Sequence, residues 1–268
     1  MTQPHQPIGI FDSGVGGLTV YQELKKQMPH EHFVYFGDTA RVPYGTKSHD
    51  IVLRYALQNS LFLMDHNVKL IVVACNTASA VALDYLQQRL KTPVVGVIES
   101  GAAAALAVTK NKRVGVIGTE GTIKSGVYEK ALKTLNPTLT CFSQATGLFV
   151  PVIEEGIFGE SILQPLFTHY LANFLHKDID TLILGCTHYP ILKKQLGQFL
   201  GSGITLVDSA QTTARQVWEL LNKNNLLNTQ SQSTPDEIFF SDAPERVQNI
   251  ARKILNNQGL VIKQGGIN

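Results

Sequence analysis

LIVVACNTASA (70–80) and TLILGCTHYPI (181–191) are two near-copies of one pattern: an apolar run, a small residue, a cysteine, then two polar side chains. Cys75 follows Ala74 and precedes Asn76 and Thr77, while Cys186 follows Gly185 and precedes Thr187 and His188. A short apolar run stopped by a small residue reads as a buried strand. The end of such a strand is where an α/β fold displays side chains at the mouth of a cleft. Two displays in one chain suggest two thiols facing one ligand from opposite sides, an arrangement suited to moving a proton across a carbon atom.

Outward from these segments, short apolar runs alternate with longer amphipathic stretches, the pattern of a parallel α/β fold. Strands are expected at 8–11, 32–36, 69–74, 93–98, 113–118, 139–143, 181–185 and 204–208. Helices fill the gaps, as at 48–64, where Ile51, Tyr55, Leu57 and Phe62 recur at helical spacing behind a Ser48 able to cap the first turn. The motifs also repeat in order. Ile10-Phe11-Asp12-Ser13 is echoed by Val116-Ile117-Gly118-Thr119 at an offset of 106 (12 to 118), Cys75 by Cys186 at 111, and Ile98-Glu99-Ser100 by Val207-Asp208-Ser209 at 109 (98 to 207). These echoes imply a duplicated unit of about 110 residues and argue against a single eight-stranded barrel.

After Ser209 come a helix-like stretch with Trp218, a polar loop over 225–237, a strand-like segment at 237–241 and a helix at 244–256. This tail is too short to be a domain and is expected to return to the first unit. The expectation is therefore two pseudo-symmetric α/β domains, 1–98 plus 209–268 and 99–208, each a mostly parallel sheet flanked by helices, with the active site in the cleft between them. Chain crossings near 98–100 and 207–209 would form a hinge.

Composition fits such a scaffold. Of 268 residues 44% are hydrophobic and 16% charged, below the usual ~25%, as befits parallel sheets covered on both faces. Lys plus Arg 23 against Asp plus Glu 21 leaves +2, too little for electrostatic binding of nucleic acid or anionic lipid. The polar MTQPHQP leads straight into a strand, so no secretory signal is expected. Runs such as GAAAALAV are far shorter than the ~20 residues a bilayer needs. The odd number of cysteines, in a chain read as cytoplasmic, points to reduced thiols. No CxxC or HxxxH spacing suggests a metal.

A free thiol, with a pKa of ~8.5, needs a base or an electropositive setting to take a proton from carbon. Cys75 and Cys186 are both expected at helix N-termini, where backbone N–H groups favour an anion. Cys141, inside a strand-like run without such neighbours, reads as a small hydrophobe. Asp12, in IFDSGVGG, could orient an ammonium or accept a proton from a thiol. The competing reading is a dinucleotide loop, with Gly14-Val15-Gly16 and Asp38. It is disfavoured because Thr19 stands where the third glycine belongs and Asp12 would repel a pyrophosphate. Tyr44-Gly45 after Pro43 reads either as a Pro-fixed turn or as a cleft wall offering N–H groups to a carboxylate. Glu154 and Glu155 read as two acids that favour the dipole of a helix they start. His188, beside Cys186, can hold or relay its proton.

DSGVGGLTV (12–20), YFGDTARVPYG (35–45), VVACNTASA (72–80), GVIES (96–100), GVIGTEGTI (115–123), PVIEEG (151–156), LGCTHYPIL (184–192) and VDSA (207–210) together resemble the bacterial glutamate racemases of the aspartate/glutamate racemase superfamily, from Ile8 to about Ala210. The resemblance implies a cofactor-independent enzyme that interconverts L- and D-glutamate, supplying D-glutamate for peptidoglycan in the cytoplasm, and a homodimer. It implies Cys75 and Cys186 as paired acid and base, Asp12 as partner of the first thiol, and Glu154 and His188 as assistants of the second. Ser13, Tyr44, Gly45, Asn76, Thr77, Thr119 and Thr187, with Asp12 and His188, would hold the carboxylates and ammonium of the amino acid. Activator-dependent members carry an N-terminal extension, and with seven residues before Ile8 no activator requirement is expected. The alternatives are aspartate racemase, one methylene away in substrate, a non-catalytic amino-acid-binding protein, and a nucleotide-dependent enzyme.

Overall fold

Among the described residues ten strands form two parallel sheets. They are β1 (Ile8–Asp12), β2 (Phe33–Gly37), β3 (Leu70–Val73), β4 (Val94–Gly96), β5 (Arg113–Gly118), β6 (Thr140–Ala145), β7 (Thr181–Gly185), β8 (Thr205–Val207), β9 (Glu237–Phe240) and β10 (Lys263–Gln264). This computed structural model describes residues 2–230 and 234–266. Residues 231–233 of the expected 225–237 loop, and residues 1 and 267–268, lie outside that description.

The first sheet runs β10-β9-β2-β1-β3-β4 and the second β6-β5-β7-β8. Setting β1 to β4 against β5 to β8 gives the same order twice, so the duplication heard in the motifs is a duplication of topology. In both sheets the central strand, β1 or β5, has the strand that ends at a cysteine turn on one side. Register follows suit: Ile8 pairs with Leu70 across β1 and β3, and Val114 with Thr181 across β5 and β7. Chain order reverses at this pair of strands, and in open parallel sheets that is where a crevice opens beyond the carboxyl ends.

Why the strands read as unbroken apolar runs is clear from their two faces. On one face of the first sheet Ile8, Ile10, Leu70 and Val72 pack with Leu18, Leu24, Val217 and Leu221. On the other, Phe11, Ile71 and Val73 pack with Val52, Ala56, Ala82 and Leu86. The second sheet divides likewise, Leu182 and Leu184 into one cluster and Ile183 with Val114 and Val116 into the other. No helix among the described residues is long and apolar enough to cross a membrane.

Three local expectations change. The helix over 48–64 is present as His49–Asp65, but the Ser48 side chain makes no capping bond and its carbonyl accepts from Val52 N–H. Val94–Gly96 is shorter than expected because Ile98 already opens the helix Ile98–Val108. β10 escaped the sequence reading, since two exposed residues carry no periodicity.

The tail joins the first sheet, β9 pairing with β2 and β10 with β9. A buried ion pair helps hold it. Lys69 Nζ lies 2.6 Å from Glu31 Oε2 and also donates to the carbonyls of Pro4 (2.6 Å) and Leu226 (2.8 Å). Removing one member of a buried pair strands the other charge, which costs about 3–5 kcal/mol. Lys69→Met is expected to lower unfolding stability by that amount, read from urea titration; a variant as stable as the parent would contradict this role.

Candidate active site

The carboxyl ends of β1, β3, β5 and β7 converge on one narrow cavity of about 10 Å³, room for a single water. Ser13 and Cys75 follow β1 and β3, Thr119 and Cys186 follow β5 and β7, and all four line it. Tyr44, Gly45, Asn76 and Thr77 complete the wall on the first-sheet side, Thr187 and His188 on the second. Asp12 and Glu154 stand just behind, each bonded to a lining residue. The structure thus brings every residue that the resemblance assigns to the site to one place. Cys141 stays outside, half-buried on the edge strand β6 beside Ser143.

Cys75 is the N-cap of the helix Asn76–Arg89, and its sulfur accepts from Ala78 N–H at 3.5 Å and lies 3.7 Å from Ser13 Oγ. Burial and then the charge of Asp12 push the thiol up to about 12, against the pull of its bonds with Ala78 and Ser13. Asp12, wholly buried, accepts from Gly14 N–H (2.9 Å) and from the Thr187 hydroxyl (3.1 Å). Burial raises its carboxyl above the ordinary range, opposed chiefly by the charge of His188.

The second thiol is built differently. The expectation of a helix N-terminus at Cys186 is not met. Residues Tyr189–Leu192 form a 3₁₀ turn containing Pro190, and the α-helix starts only at Lys193. The turn instead sends the side chains of Thr187 and His188 toward the first sheet. His188 Nδ1 lies 3.7 Å from Cys186 Sγ and its Nε2 bonds Glu154 Oε1 at 2.6 Å. Glu154 does this from the end, not the start, of the helix Phe149–Glu154, which corrects the dipole reading of the two acids. Burial opposes charge on His188, but its bonds to Cys186 and Glu154 prevail and hold the ring well above 6.5. Burial likewise opposes the Glu154 carboxylate, and His188 outweighs it, holding the acid below 4.5.

The glycines of the β1 turn serve this approach. A Cβ on Gly16 would fall 2.5 Å from His188 Nδ1 and 2.6 Å from Thr187 Oγ1. That space is closed to a pyrophosphate. Asp38, the acid of the dinucleotide reading, is fully buried and occupied by Arg41, Tyr44 and Ser241. Both findings set the nucleotide loop aside. Tyr44 also accepts from Asn59 Nδ2 at 2.9 Å, so Tyr44-Gly45 is a braced wall as well as a turn. Gly45 is needed where the two sides meet, since a Cβ there would lie 2.3 Å from Thr119 Cβ. Thr77 Oγ1 bonds Thr119 Oγ1 at 2.8 Å across the same seam, with Thr122 Oγ1 3.0 Å from Thr119. The sequence reading missed Thr122, a hydroxyl hidden in a helical turn, and Val150, an apolar wall residue that no motif marks.

The two shifts of the His188–Glu154 pair define a pH window. The contribution of His188, whose folded value is raised, is full below 6.5 and is lost as pH climbs through that raised value. That of Glu154, whose value is lowered, is present above 4.5 and is lost as pH falls through the lowered value. The His188 ring is therefore expected to keep its proton as pH passes through 6.5, followed by its ¹³C resonances. Glu154→Gln should bring the transition down; a wild-type ring that deprotonates near its ordinary value would contradict the pairing.

A model of the Asp/Glu/Hydantoin racemase family matches residues 8–217. The chain is 51% identical over 255 residues to a glutamate racemase from Geobacter metallireducens, covering 95% of this chain and 94% of that one. Among solved structures, a glutamate racemase isoform from Bacillus anthracis matches with a TM-score of 0.92 at 38% identity, over 99% and 98% of the two chains. A Francisella tularensis glutamate racemase in complex with D-glutamate also matches at 0.92, with 37% identity and 99% of each chain covered. Their full-length coverage, with the two matched sheets and the two thiol turns that meet at one cavity, shows that the chain belongs to the glutamate racemases of the Asp/Glu/Hydantoin racemase family.

Proposed function

We propose that this chain interconverts L- and D-glutamate without a cofactor, by passing protons between Cα and two thiols. The observation that carries the reading is that Cys75 and Cys186, from opposite sheets, line one small buried cavity, each beside its own acid–base partner. One sulfur, as thiolate, takes the α-proton; the other, as thiol, delivers a proton to the opposite face of the carbanion. Each turnover leaves the two sulfurs with their protonation states exchanged, so the reverse reaction starts from the product state. A thiol pushed up to about 12 is a reluctant acid, but once deprotonated it is a strong base for a weakly acidic C–H. The substrate ammonium, entering beside Asp12 and Cys75, supplies the positive charge that makes the thiolate accessible.

Asp12 serves Cys75 as proton acceptor, and His188, its ring proton held by Glu154, assists Cys186 by donating toward its sulfur. Ser13, Tyr44, Gly45, Asn76, Thr77, Thr119 and Thr187 hold the carboxylates and ammonium. Enclosure removes water that would otherwise quench the carbanion and weaken each dipole aimed at it. Substrate entry requires the cavity to open. The division into 1–98 plus 209–268 and 99–208, hinged near 98–100 and 207–209, fits a strand order that occurs twice. D-Glutamate made in this way would serve peptidoglycan synthesis in the bacterial cytoplasm, with the enzyme acting as a homodimer.

The test is the circular-dichroism signal of L-glutamate with purified protein, reducing agent and no added cofactor. Decay to zero is expected. Cys75→Ala and Cys186→Ala should each cut the rate by at least about a thousandfold, and either variant with full activity would refute the two-thiol mechanism. L-Aspartate, shorter by a methylene worth only ~1–3 kcal/mol, should react more slowly; faster reaction would favour the aspartate reading. Binding without loss of signal would favour an amino-acid-binding protein.

A further inference from the structure

Tyr128 is a buried polar side chain that none of the motifs marks. It lies in the first turn of the helix Val127–Leu135 on the second-sheet side, is 2% exposed, and its phenol oxygen lies 2.6 Å from Asn76 Oδ1. Asn76 follows Cys75 and lines the cavity, so this bond spans the seam between the two sides. The slot that holds the ring is made by two glycines. A Cβ on Gly101 would come within 2.9 Å of the phenol oxygen, and one on Gly185 within 3.0 Å of ring carbon Cε2. Gly185 is the small residue immediately before Cys186. One ring therefore rests against the residue preceding the second thiol while its hydroxyl holds the residue following the first.

The geometry points to Tyr128 as a positioning residue for the reaction: its O–H donates to Asn76 Oδ1, fixing the amide so that its Nδ2 donors face the cavity and the substrate carboxylate there. A primary amide can turn either end to a ligand, and only the nitrogen end can donate to an anion. A donor that occupies the oxygen selects the useful orientation before substrate arrives, so no reorganisation is needed on binding. Burial holds the phenol O–H well above its ordinary range, which keeps it a donor throughout the working pH range. The ring contact with Gly185 ties this orientation to the seat of Cys186, so the amide is set only when the two sides are together. A β-carbon at Gly185 would meet both the Ile117 carbonyl oxygen, at 2.7 Å, and this ring, so the two together keep the residue before the second thiol a glycine.

This inference rests on the racemase reading, and the experiment separates the two. Tyr128→Phe keeps the ring in its slot and removes only the hydroxyl. Racemisation of L-glutamate is compared in four proteins: the parent, Tyr128→Phe, Asn76→Ala and the double variant, with thermal unfolding of each as the check on folding. The phenylalanine variant should lose about ten- to a hundredfold in kcat/KM, the range expected when a buried acceptor loses its partner. In the Asn76→Ala background the same change should cost nothing further, because the phenol acts through that amide. A parent without racemase activity would sink the functional reading itself. An active parent with a fully active phenylalanine variant, or losses that multiply in the double variant, would overturn the positioning role alone.

Discussion

Two thiols can serve opposite faces of one carbon only while they are held apart across a space that admits little besides the substrate. The cavity therefore has to be assembled from two sides and sealed along a seam, and the seam contacts do this. Asp12 accepts from Thr187, Thr77 meets Thr119, Asn76 meets Tyr128, and His188 packs against the glycine turn after β1. Each contact joins a residue at the carboxyl end of the first sheet to one beyond the second. The hydrogen bonds among them are buried, where a hydrogen bond is electrostatically stronger and an unmade one more costly. The glycines follow from the same demand, since Gly16 and Gly45 lie where a β-carbon would strike the opposite side.

The scaffold is nearly symmetric, and the chemistry it carries is not. Strand order repeats, yet the position that is Asp12 in the first unit is Gly118 in the second, and the pair after the thiol is Asn76-Thr77 in one and Thr187-His188 in the other. Cys75 lies near a buried carboxylate that raises its thiol, while Cys186 has an imidazole held by a second carboxylate. Reaction in both directions requires two bases of comparable reach. Under the proposed reaction their surroundings would differ because the substrate is unsymmetrical, presenting an ammonium, an α-carboxylate and a side chain that ends in the second carboxylate.

Sheets and thiols were legible because their signals are local. Both faces of each strand are covered, so β1, β3 and β7 appear as continuous apolar runs, and the cysteines follow where those runs stop. Glu154 was legible only through its motif. Its partner His188 lies 34 residues away, and periodicity misassigned it to a helix start. The turn after Cys186 also defied local reading, because Thr187 bonds Asp12 across the seam and His188 bonds Glu154 rather than capping a helix. Ser48 shows the opposite failure: a good capping residue at the right position whose side chain makes no cap. Tyr128 and Thr122 were invisible because their partners, Asn76 and Thr77, are brought to them by tertiary packing alone.

The most direct test of exchange between two thiols is racemisation of L-glutamate in heavy water, following deuterium at Cα in both enantiomers from the first moments of reaction. Two opposed thiols should give D-glutamate carrying solvent deuterium while the remaining L-glutamate keeps its original hydrogen. Early and equal labelling of both enantiomers would mean that one shared base handles both faces, and would contradict the roles given to Cys75 and Cys186.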